Sequence, residues 1–256
     1  YLFADPPNWQ DNPGAYEFSA TINTKILSNA KVKGNTGDMF AAFDQNGNVR
    51  GIGTRLIVIG SDDIPFWEIQ VRSNIVDENI SFEYYSAYDD EIYNVIENYS
   101  FVSNQVQGDA INPIIYNLEY VKLSFANSNT NSIDIMYESN TTIAGYQFSI
   151  NGVDVIEVSG GESDNAGFNI SSGNNTILGF SLSGSVIGEG SGILVNLEFA
   201  DSSENDIIEL NNAVISGPGG TSIANNSPIE TPLLFSHNQS TLQAFYFFHT
   251  VLIGDN

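Results

Sequence analysis

Tyr16-Glu17-Phe18-Ser19-Ala20-Thr21-Ile22 places an aromatic or apolar side chain at every second position. A period of two is the mark of an extended strand with one face buried, because successive side chains of a strand point to opposite sides of the sheet. The reading continues downstream. Residues 39–43 form a short apolar run, followed by Asp44-Gln45-Asn46-Gly47-Asn48 and then Val49 and residues 56–59. Asn46-Gly47 predicts a hairpin turn, since both residues tolerate positive φ. Residues 66–71, 80–88 and 99–106 complete a first set of strands. Residues 107–113 read as a connector, with a boundary between Asn112-Pro113 and Tyr120.

A second set follows at residues 121–125, 133–137, 144–150, 153–158, 168–170, 177–182, 193–199, 207–210 and 213–215. Short β-branched and aromatic runs separated by Gly, Asn, Asp and Ser, with no long stretch of helical period, predict an all-β chain. We expect two tandem β-sandwich domains of jelly-roll or immunoglobulin-like type, at 1–118 and 119–227, and a C-terminal strand segment at 228–256. That last segment repeats the order of the first module: Leu234-Phe235 and an aromatic strand at 242–248 mirror Leu2-Phe3 and Tyr16 to Ala20. It reads either as the start of a further repeat or as a strand for this chain's own sheet or, as a donor strand, for a neighbouring subunit's, with Leu242, Phe245, Phe247 and Val251 as its assembly residues.

Charge narrows the function. Seven basic residues face 31 acidic ones, for a net charge of −24. From Leu123 to Asn256 there is no Lys or Arg. Nucleic acid and anionic membranes are therefore excluded as expected partners, because both need a basic surface. No apolar run reaches the roughly 18 residues of a membrane helix, so no membrane insertion is expected. The chain has no cysteine, which removes disulfides, thiolate metal sites and cysteine nucleophiles.

Two segments resemble known modules. Ile143-Ala144-Gly145-Tyr146-Gln147-Phe148, with Asn165-Ala166-Gly167-Phe168, residues 177–181 and residues 190–197, resembles the cohesin-like β-sandwich over residues 121–222. The resemblance implies a nine-stranded jelly roll, and true cohesins bind dockerin modules to build scaffolds. Residues 8–120 resemble a recurring β-sandwich module of large secreted bacterial and marine surface proteins, through Asn12-Pro13-Gly14-Ala15-Tyr16-Glu17-Phe18, Gly37-Asp38-Met39-Phe40-Ala41-Ala42-Phe43, Asn48-Val49-Arg50-Gly51 and Ile80-Ser81-Phe82-Glu83-Tyr84-Tyr85. Together they imply an extracellular or cell-surface location and partners that are other copies of the chain or other surface and scaffold proteins.

Catalysis has little to stand on. The only histidines, His237 and His249, sit in the C-terminal segment, and the acidic runs Asp62-Asp63 and Asp89-Asp90-Glu91 read as solvated turns rather than acid pairs. We expect a non-enzyme. Calcium is the one cofactor expected: Asp44, Asn46 and Asn48 alternate as a calcium loop begins, although Arg55 stands where its closing glutamate belongs, and Asp62 with Asp63, or Asp77 with Glu78, are further candidates. Trp9 and Trp67 are candidate stacking platforms for glycans, which would make the chain a carbohydrate-binding module instead, although core packing is the default for ring side chains on strands. Of the consecutive pair Tyr84-Tyr85, opposite faces predict one exposed ring. Seven N-x-S/T glycosylation acceptors begin at Asn79, Asn98, Asn140, Asn169, Asn174, Asn225 and Asn238.

Overall fold

A computed structural model describes residues 6–57, 64–200 and 207–232. The described residues are all-β, with 58% strand and 5% helix. The first half holds β1 (Phe18–Ser28), β2 (Lys31–Lys33), β3 (Met39–Phe43), β4 (Val49–Ile57), β5 (Pro65–Ser73), β6 (Asn79–Ser86), β7 (Glu91–Asn94), β8 (Tyr99–Ser100), β9 (Val106–Gln107) and β10 (Ile114–Asn117). These join in one ten-stranded sheet of order β10-β1-β5-β4-β3-β6-β7, with β2 and β9 also on β1 and β8 on β6.

The sheet folds over itself at β4, which pairs with β3 through its first residues and with β5 from Gly53 onward. Glycine permits the bend. A Cβ at Gly51 would sit 2.2 Å from the Gln70 carbonyl oxygen, and one at Gly53 would sit 2.9 Å from the Phe40 ring; only a bare backbone allows such an approach. Aromatic rings then meet inside the fold. Phe40 stacks on Phe82 at 5.4 Å, Phe82 tilts against Tyr116 at 4.9 Å, and Trp67 sets its edge against Phe40 and Tyr84.

The second half holds β11 (Tyr120–Ala126), β12 (Ser132–Ser139), β13 (Gly145–Asn151), β14 (Val155–Ser159), a one-turn helix α1 (Gly161–Asn165), β15 (Asn169–Gly173), β16 (Thr176–Phe180), β17 (Gly190–Phe199), β18 (Ile207–Ser216), β19 (Ala224–Asn225) and β20 (Ile229–Pro232). They form two five-stranded sheets, β14-β17-β12-β11-β19 and β15-β16-β13-β18-β20. The sheets stack on a mainly aliphatic core that includes Leu123, Ile135, Ile177, Leu197 and Leu210. Gly179 leaves room for the Tyr146 ring, which a Cβ would meet at 2.2 Å. The Tyr146 hydroxyl reaches Ser163 Oγ at 2.8 Å, and Ser163 Oγ donates to the Leu194 carbonyl at 2.6 Å, pinning α1 onto β17.

The halves meet at Leu118-Glu119-Tyr120. Asn140 brackets this joint: its Oδ1 accepts from the Tyr120 amide at 2.8 Å and its Nδ2 donates to the Leu118 carbonyl at 3.1 Å. Glu119 accepts from Asn94 Nδ2 in the first half and from Thr141 Oγ1 in the second. Ala224 of β19 is buried in the first half's aromatic core.

Several elements differ from the sequence reading. Residues 49–57 form one strand, not two pieces. Residues 99–106 are not a strand: the chain pairs only at its two ends and turns at Asn104, whose φ is 61°. Residues 207–210 and 213–215 are a single strand carrying a bulge, with Asn212 at φ 51°. β10, in the region that reads as connector and boundary, lies parallel to β1, pairing Ile114 with Thr24. Ile229–Pro232 pairs with β18, in line with the reading of this segment as a strand for the chain's own sheet. In the turn after β3 only Gly47 has positive φ, at 78°. Its amide donates to the Asp44 carbonyl, and the extra residue appears as a register shift between Ala42 and Phe43, the pattern of a turn closed by a glycine bulge rather than a two-residue hairpin.

Candidate functional site

Asp44 sits where β3 ends, and the fold uses up its oxygens. Oδ1 accepts from the amides of Asn46 and Asn48 at 2.9 and 2.8 Å. Oδ2 accepts from Asn48 Nδ2 and Arg50 Nη2, each at 2.8 Å. Arg50 continues to Glu78 at 2.8 Å and lies over the Tyr16 ring, 4.6 Å from its centre. Burial pushes the Asp44 carboxyl up, but the Asn48 side chain, the Asn48 and Asn46 amides and the Arg50 guanidinium outweigh it and hold the carboxyl below its usual value. The alternation Asp44, Asn46, Asn48 forms an Asx-type turn (a side chain mimicking backbone) locked by a guanidinium, with four hydrogen bonds to the Asp44 carboxylate. Glu78 is likewise taken by Arg50 and by Ser73, while Asp77 occupies a turn at φ 58°. Asp62 and Asp63 lie outside the described residues. Among the described residues no three His, Cys, Asp or Glu side chains gather as a metal group.

The two candidate glycan-stacking rings, Trp67 and Trp9, differ in exposure. Trp67 is 1% exposed and offers no face to a ligand. Trp9 is half-buried, its ring set edge-on to Phe43 at 5.5 Å. Tyr84 and Tyr85 are both buried, so β6 is covered on both faces at this point. Tyr84 donates to Asp38 and Tyr85 donates to Asp90 at 2.8 Å, so Asp90 ties down the β6–β7 turn. Of the glycosylation acceptors, Asn79, Asn98, Asn169 and Asn174 are exposed. Asn140 spends its amide on the Leu118 carbonyl and Asn225 on the Ala213 carbonyl. Asn238 and the assembly residues Leu242, Phe245, Phe247 and Val251 lie outside the described residues.

What the structure assembles instead is a surface. Register across β15, β16, β13 and β18 places Ser171, Leu178, Gln147 and Val214 in one row on the outer face. The rows beside it run Asn169, Phe180, Gly145, Ser216 and Gly173, Thr176, Ser149, Asn211. None of these twelve positions carries a charge. Glu209 and Glu230 stand only at one end, paired with each other in register. The opposite sheet carries Lys122 against Glu138 at 3.7 Å, Asp134 held by Asn127 and Asn196, and Glu157 directly opposite Glu198. Alternation along each strand was visible in the sequence, but which strands lie side by side was not, so the neutral face could not be found before the pairing was known.

Among the described residues no helix is long and apolar enough to cross a membrane. No family model and no curated protein matches the sequence. Among solved structures the chain is similar to a non-cellulosomal cohesin from the hyperthermophilic archaeon Archaeoglobus fulgidus, at 18% identity and TM-score 0.32, over 42% of this chain and 83% of that one. It is also similar to BcpA, the major pilin subunit of Bacillus cereus, at 8% identity and TM-score 0.32, over 84% and 68% of the two chains. A third similarity is to the T6 backbone pilin of serotype M6 Streptococcus pyogenes, at 7% identity and TM-score 0.36, over 87% and 62%.

Proposed function

We propose that the chain is a non-catalytic, extracellular structural or adhesive module that works by protein–protein association with other copies of itself or with other surface and scaffold proteins. The observation that carries this reading is the uncharged outer face of β15-β16-β13-β18 on a chain of net charge −24. A face without carboxylates is where a second body can approach without desolvating like charges. Exposed Leu178 and Val214, with half-buried Phe180, give it apolar area to cover. The cohesin-like segment spans this same sheet and supports the extracellular placement. The aromatic-rich segment at residues 242–248 is the proposed assembly strand, joining a neighbour's sheet edge.

The test is the mass of the full chain by analytical ultracentrifugation beside a chain ending at Pro232. We expect assembly in the full chain, and a fall in mass on truncation would assign the contact to the tail. An unchanged mass distribution would remove the tail from the mechanism, and Val214→Glu would then show whether the neutral face alone suffices.

A further inference from the structure

Among the described residues every open sheet edge but one carries a device that discourages strand addition. β2 has Lys31 and Lys33, β7 has Glu91 directly after Asp89-Asp90, and β10 follows Pro113. β14 has Glu157 and a register shift, and β20 holds Glu230 between Pro228 and Pro232. β8, β9 and β19 are two residues long. Charges, prolines, bulges and shortness are the means by which native sheets protect their edges. β15, Asn169-Ile170-Ser171-Ser172-Gly173, has none of them, and four of its five residues are exposed.

Its pairing fixes which backbone groups are open. β15 and β16 form a hairpin closed by Asn174 and Asn175, with φ of 49° and 57°, which is the two-residue turn with positive φ at both positions. The flanking pair Gly173 and Thr176 is then hydrogen-bonded, as are Ser171 with Leu178 and Asn169 with Phe180. The N–H and C=O of Ile170 and Ser172 therefore point away from β16, and neither residue has another hydrogen-bond partner among the described residues.

We propose that β15 is a self-pairing edge: β15 of a second copy of this chain adds antiparallel to it, centred on Ser171. This deepens the association reading above by naming the surface and the partner. The register is self-complementary. With Ser171 on the two-fold axis, Ile170 meets Ser172 of the second copy and Ser172 meets Ile170, so all four outward groups on each copy find a mate. Two five-stranded sheets become one of ten. Charge selects the occupant: an acidic chain meets its own copy with least repulsion where both surfaces are neutral, whereas a basic partner would be drawn to the acidic faces instead.

The absence of cysteine makes the test direct. On the axis Ser171 faces its symmetry mate as a non-hydrogen-bonded pair, whose Cα atoms are about 4.5 Å apart, within disulfide range. The full-length Ser171→Cys chain should form a covalent dimer under mild oxidation, and a Ser183→Cys chain, altered on an exposed loop, should not. In parallel, ultracentrifugation in about 0.5 M NaCl, where the screening length is roughly 4 Å, should show a dimer for the unaltered chain. Ser171→Lys and Ser172→Pro should give monomers with an unchanged melting temperature. A monomeric unaltered chain, or variants that keep the dimer, or equal cross-linking of the two cysteine chains, would overturn the proposal. If mass falls only when residues 233–256 are deleted, the association reading stands and β15 is not its contact.

Discussion

The first half buries carboxylates by two means and the second by one: Asp38 of the first half takes only neutral donors, the Asn35 and Ala87 amides and the Tyr84 hydroxyl. In the first half Asp44 and Glu78 share Arg50, and Arg72 pairs with Asp11. In the second half Asp134 is buried with no cation at all: Asn127 Nδ2 reaches its Oδ2 at 2.6 Å and Asn196 Nδ2 its Oδ1 at 2.8 Å. The cores differ in parallel, aromatic rings in the first and branched aliphatics in the second. The contrast shows that a strongly acidic β protein does not need a cation for each buried carboxylate. Neutral amide donors satisfy the same lone pairs and leave the negative charge in place.

Breaking the cores should give the largest effects. Trp67→Ala should cost about 3–5 kcal/mol, seen as a calorimetric transition that splits, with the first half melting early. Leu197→Ala, wholly buried in the second half, should cost about 2–5 kcal/mol and move the other transition. Equal shifts of one unsplit transition would show that the joint at Glu119 and Asn140 couples the halves into one cooperative unit.

The carboxylate contrast is sharpened next. Arg50→Met strands Asp44 and Glu78, whose side chains are only 3% and 11% exposed; the expected loss is about 3 kcal/mol in urea denaturation. Asn196→Ala removes one neutral donor from Asp134 and should cost about 1–2 kcal/mol. A larger loss at Asn196 than at Arg50 would reverse the ranking.

Acid titration separates two carboxyls of opposite sign. The folded pKa of Asp44 is lowered, so its contribution is complete above the unfolded value of about 3.9 and is lost as pH falls through the folded value. Burial raises Glu83, so Glu83 weakens the fold as pH rises from its unfolded value of about 4.3 through its folded one, and costs nothing below. Glu83→Gln should therefore raise the melting temperature at neutral pH and lose that advantage at pH ~3, below the unfolded value. A gain that persists in acid would mean that packing, not ionisation, is responsible. The smallest expected effect is a gradual rise in melting temperature with added NaCl, as the net charge of −24 is screened.

Much of this was legible residue by residue. Two-residue alternation located most strands, Asp44 to Asn48 announced a turn, and the loss of cations after Lys122 was plain. Long-range partners were not. Trp67 reads identically whether its strand faces solvent or a folded-over sheet, and Tyr84-Tyr85 breaks the alternation rule only because β6 is covered on both sides. β10 passes for a connector because four residues hold too little pattern to betray a partner at Thr24, ninety positions earlier.

Local sequence determined the strand character, the turn chemistry, the charge and the absence of any thiol, since each depends on a residue and its near neighbours. Tertiary structure alone decided that Arg50 would take the oxygens of Asp44, that three strands would align their neutral positions with those of β15, and that β15 would be left at an edge. Those outcomes depend on which strands pair, and pairing is settled by the burial of whole faces rather than by any one segment's preference.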